Sequence, residues 1–89
     1  MTLAHTYRQS DEDWLIKDIG RRIREARLSM EPRLSQEKLG DALGTSFQMI
    51  QKYENGTCRI SAAKLILAAR ALQLPPAFLL MGFEGIGES

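Results

Sequence analysis

The stretch that most restricts what this chain can become lies at its middle, Leu34 to Gly56, LSQEKLGDALGTSFQMIQKYENG. It reads as two short helices joined by a tight turn. Ser35 suits the N-cap of the first, and Leu34 and Leu39 occupy the staple positions on either side of that cap. Glu37 in the first turn favours the helix dipole. Lys38 stands where a capping box would need Glu or Gln, so the reciprocal half is missing. Leu39, Ala42 and Leu43 are expected to face inward. Gly44 ends the helix at C′, where positive φ costs glycine little. Gly40 is small where the two helices approach. The second helix starts at once, capped by Thr45 or Ser46. Its inner face is Ile50 and Tyr53, with Met49 partly buried. Its outer face carries Gln48, Gln51, Lys52 and Asn55 at i, i+3, i+4 and i+7, and Asn55-Gly56 is a stop signal. Two helices joined in this way form a helix-turn-helix, and burial does not explain the amides on the outer face.

The flanks supply the rest of a small helical domain. From about Asp13, the candidate N-cap, to Ser29, an apolar stripe of Leu15, Ile19, Ile23 and Ala26 marks a long first helix. Trp14 is expected against the domain edge, and Arg21, Arg22 and Arg24 face solvent or phosphate. Pro32 breaks the chain between the first two helices. After the loop from Thr57 to Ile60, Ser61 caps a fourth helix buried through Leu65, Ala68, Ala69 and Leu72, with Ile60 and Leu65 repeating the staple. Pro75-Pro76 ends it and opens a fifth, short helix to about Met81, with Pro76 near N1. The alternation expected of strands is absent. We therefore expect an all-α, five-helix domain over residues 13–82, a flexible arm over 1–12 and a frayed glycine-rich tail over 83–89.

Composition narrows the function. A chain of 89 residues suits one domain, with no room for a separate effector domain. His5 and Cys58 are each the only residue of their kind, so neither metal-ligand spacing nor an intrachain disulfide can be built. No paired catalytic groups are apparent, and an enzyme is excluded. Cys58 beside Arg59 reads as an inert loop cysteine rather than an activated thiol. No apolar run approaches a membrane span or signal peptide, and a reducing, cytoplasmic setting is expected. The formal charge of +1 conceals a segregation: residues 14–82 hold eleven Lys or Arg against six Asp or Glu, while both ends are acidic. A basic middle suits a polyanion, although a mixed solvated surface would look the same by charge alone.

The central stretch resembles the signature of the phage repressor and Cro family, also called the XRE family of bacterial helix-turn-helix regulators. IGRRIREAR (Ile19 to Arg27) resembles that family's first helix, and SAAKLILAARALQLPPAFLL (Ser61 to Leu80) its fourth and fifth. The resemblance implies a compact lambda-repressor-like fold and a regulator of double-stranded DNA with its third helix in the major groove, commonly as a dimer. It implies base contacts from Phe47, Gln48 and Gln51, with Lys52 beside them. Amides suit adenine, lysine suits guanine or phosphate, and Phe47, where the family often has a polar residue, suits a thymine methyl. Gln36, Ser46, Asn55, Thr57 and Arg59 fall to the DNA backbone, where contacts set register without reading sequence. Arg27 and Glu54 match a structural ion pair between the first and third helices, across a connection two residues longer than usual in the family.

Leu67 and Phe78 are apolar where that family often carries charge. With Met81 and Phe83 they form a candidate dimer surface, although Phe78 could instead cover its own core. Two functional readings follow. One is an operator-binding repressor or controller acting as a homodimer on a palindromic site. The other is an antitoxin-type module that binds a toxin partner as well as DNA. Neither requires a cofactor.

Overall fold

The computed structural model describes residues 8–87, with side chains through Met81. Five helices make up the described chain: α1 (Gln9–Ser29), α2 (Gln36–Leu43), α3 (Phe47–Asn55), α4 (Ala62–Leu72) and α5 (Pro76–Gly87), with no strand among the described residues. The all-α expectation is met. Most of the arm expected over residues 1–12, with His5, lies outside the described residues, as does the Phe83 side chain.

Three of the helices start on a serine. Ser35, Ser46 and Ser61 each accept a hydrogen bond from the backbone N–H three residues on, at 3.0, 3.2 and 3.1 Å. This is N-capping by an oxygen that satisfies a donor with no helical partner. It places the α3 cap at Ser46 rather than Thr45. Gly44 takes up the left-handed conformation at φ 71° and closes α2. A Cβ on Gly40 would stand 2.8 Å from the Thr45 carbonyl oxygen, so glycine there lets the turn fold back onto α2.

Between them the helices bury one core: Ile23, Leu39, Leu43, Ile50, Tyr53, Leu65, Ala68, Ala69, Leu72 and Leu79. α1 packs on α3, α4 and α5, α2 lies on α3 and α4, and α4 meets α5. The four expected inward residues of α4 are all buried.

The ends of the chain depart from expectation. α1 begins at Gln9 and has no side-chain cap. Asp13 lies inside it, accepting from the Gln9 amide at 3.1 Å. Acidic Asp11 and Glu12 occupy the first turn, where they complement the dipole. The inward stripe runs through Ile19, Gly20 and Ile23, while Leu15 is 51% exposed and Trp14 63%. Ala42 is exposed too, since the buried face of α2 is made by Leu39, Gly40 and Leu43. α5 continues past Met81 to Gly87, so the glycines after it do not stop the helix. No described helix is long and apolar enough to cross a membrane.

Candidate nucleic-acid interface

α3 is held by its inner face and left open on its outer one. Ile50, Tyr53 and Glu54 are buried. Gln48, Gln51, Lys52 and Asn55 are exposed, and Phe47 is 42% exposed at the first turn. The side chains of Gln48, Gln51 and Lys52 make no hydrogen bond or ion pair within the described residues. The amides and the ammonium therefore project from a rigid helix with their donors and acceptors unused.

A buried polar cluster sets the angle of that helix. Arg27 on α1 reaches Glu54 through two parallel bonds, Nε to Oε2 at 2.7 Å and Nη2 to Oε1 at 3.0 Å. The side chains retain only 9% and 3% of their exposure. The same guanidinium donates to the Leu34 carbonyl at 3.1 Å, at the entrance to α2, and the Gln36 amide donates to Glu54 Oε1 at 3.1 Å. Glu54 thus ties α1, α2 and α3 together with its charge fully matched, the condition under which a buried pair is tolerated. The longer connection before α2, which contains the cis Glu31–Pro32 bond, does not disturb the pair. A second tie is Lys64 on α4, whose ammonium donates to the Leu43 carbonyl at 3.2 Å, at the end of α2. A third is steric. A Cβ on Gly20 would collide with the Tyr53 carbonyl oxygen, so α1 can approach α3 only through glycine. Neither Lys64 nor Gly20 was singled out from sequence, because their partners are remote in the chain.

The expected backbone residues border this face. Gln36 keeps its second amide hydrogen after bonding Glu54. Ser46 accepts the Met49 N–H and retains its hydroxyl hydrogen as a donor. Asn55 Oδ1 accepts both the Thr57 N–H at 3.0 Å and the Thr57 hydroxyl at 2.8 Å. The Asn55 amide group stays free to donate, while the Thr57 hydroxyl hydrogen is engaged inside the turn. Arg59 is exposed but ion-paired at 3.1 Å to Glu12 on α1, a partner the sequence did not suggest. Gln36, Gln51, Glu54 and Asn55 line an open recess of about 290 Å³ together with Arg24 of α1. Cys58 is half-buried against the core, beside Ile16, Ile19, Tyr53 and Ile60.

Two capped helices hinged on glycine, with the second locked by a buried ion pair and showing an unpartnered amide face, define a helix-turn-helix domain. The chain belongs to the helix-turn-helix family of phage-repressor and Cro type, whose sequence profile matches residues 23–79. It is 44% identical over 69 residues to an HTH-type transcriptional regulator of Sinorhizobium medicae, a match covering 78% of this chain and 48% of the relative. A transcriptional regulator in the ATPase CF(0) region of Rhodospirillum rubrum is 47% identical over 57 residues, covering 64% of this chain and 51% of that protein. The chain thus spans about half the length of these relatives.

Among solved structures, the restriction-modification controller protein C.AhdI of Aeromonas hydrophila superposes with a TM-score of 0.69 at 29% identity, covering 78% of this chain and 97% of that one. The P22 c2 repressor in complex with a synthetic operator superposes with a TM-score of 0.64 at 31% identity, covering 72% and 94%. The family and these relatives place this domain with helix-turn-helix transcriptional regulators. The antitoxin-type alternative is not supported by these matches.

Proposed function

We propose that this domain is an operator-binding repressor or controller that lays α3 in the major groove of double-stranded DNA. Phe47, Gln48, Gln51 and Lys52 face the base edges, while Gln36, Ser46, Asn55, Thr57 and Arg59 border the phosphates. The observation that carries this reading is the outer face of α3: three polar side chains without partners on a helix whose inner face is fully engaged. That the similar P22 c2 repressor was solved on an operator supports the same placement. Two copies would pair through Leu67, Phe78 and Met81 to read two half-sites of a palindrome, since one helix-turn-helix spans only a few base pairs.

The test is selection of bound duplexes from a random DNA pool, followed by substitution. In the enriched duplex, Gln48→Ala is expected to relax discrimination at one base position by about 1–3 kcal/mol. Arg59→Ala is expected to weaken enriched and random duplexes alike and to lower the salt slope. Equal losses on both duplexes for the glutamine change would remove Gln48 from the reading set.

A further inference from the structure

We propose that Arg24 of α1 is a phosphate-binding residue, seated beside α3 in the recess it shares with Gln36, Gln51 and Asn55. The assignment rests on the DNA-binding role above and adds a contact from a helix outside the helix-turn-helix.

The arginines of α1 differ in what they have to bind. Arg21 lies between Asp18 at 2.6 Å and Glu25 at 3.0 Å. Arg22 pairs with Asp18 at 2.9 Å, and Arg27 is held by Glu54. Arg24 is exposed and has no hydrogen bond or ion pair within the described residues. It nevertheless lines the recess that opens beside the reading face. The one acid lining that recess, Glu54, is already matched by Arg27 and bonded by Gln36. Arg24 therefore leaves the recess with an uncompensated positive charge. Two amide donors stand with it: the second hydrogen of Gln36 and the free amide group of Asn55.

A planar guanidinium fork with amide N–H groups around it matches a phosphate in both charge and geometry. The position argues against a base as the ligand. α1 approaches the inner side of α3, where Gly20 meets Tyr53 and Glu54. A side chain from α1 extends along the flank of α3, so it meets the strand bordering the groove before the base edges on its floor.

The experiment measures binding by fluorescence anisotropy over a salt series. The full chain and its R24A and R24K variants are titrated with the pool-enriched duplex and with a random-sequence duplex of equal length. R24A is expected to bind both duplexes about tenfold more weakly, as loss of a charge-assisted hydrogen bond implies. Its slope of log K against log salt should fall by about 0.9. R24K should keep the wild-type slope, and the thermal melt should not move. R24Q, which keeps the stem and a good helix former, gives the same reading where alanine lowers the melt.

Wild-type binding with unchanged R24A affinity and slope overturns the Arg24 assignment alone. A loss confined to one base position of the enriched duplex also overturns it, making Arg24 a base reader. A wild-type chain that binds neither duplex overturns this assignment together with the proposed function.

Discussion

Glu54 is the residue on which the first three helices converge. Its two carboxylate oxygens take three N–H donors, two from Arg27 and one from Gln36, and among the described residues no buried side-chain polar atom lacks a partner. Removing the carboxylate would leave the Arg27 guanidinium buried and unpaired. Glu54→Ala is expected to destabilise by about 3–5 kcal/mol in a urea or thermal melt, and an unchanged melt would show that the pair is not a support. The Arg27–Glu54 pair was legible in the sequence through the family resemblance. Other residue-scale facts were not. Leu15 and Ile16 are adjacent apolar residues, and periodicity alone does not say which one turns inward; the structure leaves Leu15 the more exposed. Arg59 was readable as a cation in a loop, but its bond to Glu12 depends on how α1 lies across that loop. The isolation of Arg24 likewise emerges only when each neighbouring arginine is matched to its acid.

At the scale of elements, starts were more legible than ends. A serine cap acts over three residues, so Ser35, Ser46 and Ser61 could be read locally. The start of α1 could not, because it has no side-chain cap and is marked only by acidic residues in its first turn. α1 also carries its own charge network. Burial pushes the Asp18 carboxyl up, but hydrogen bonds and charge from Arg21 and Arg22 outweigh it, so its pKa lies below the ordinary 3.8. A depressed folded value means that the folded state favours the ionised carboxylate. The stabilisation is therefore fully present above the unfolded value and disappears as pH falls through the folded one. In thermal melts from pH 7 downward, Asp18→Asn should lie below the wild type by a constant margin near neutrality. That margin should close only below about pH 3.8. A margin that closes at higher pH would contradict the depressed Asp18 pKa, and no margin at neutrality would mean the Asp18 network adds nothing to α1.

At the scale of the whole molecule, the exposed apolar surface bears on the number of copies that act together. One domain buries a single core, yet it leaves Leu67 36% exposed and Met81 49%, with Ile66 and Leu80 also open on the same two helices, α4 and α5. Phe78 is half-buried, so it contributes to its own domain while keeping area to present to a partner. A stable interface needs about 800 Å² from each partner, so these side chains would form the apolar centre of a wider contact across α4 and α5. The geometry of DNA argues the same way. Two reading helices related by a two-fold axis must lie about 34 Å apart to enter successive major grooves on one side of the duplex. A pairing surface on α4 and α5 leaves the outer face of α3 clear for that purpose. The protein is therefore expected to sediment as a dimer at micromolar concentration and to select a palindromic site from a random pool. Phe78→Glu is expected to give a monomer. Met81→Glu, at a more exposed position, should do so without the cost of placing a charge in a half-buried site. Either monomer should retain helix content and bind a single half-site weakly. A wild-type chain that remains monomeric at high concentration, or an enriched site without two-fold symmetry, would remove the dimer from the proposed mechanism while leaving the α3 reading face intact.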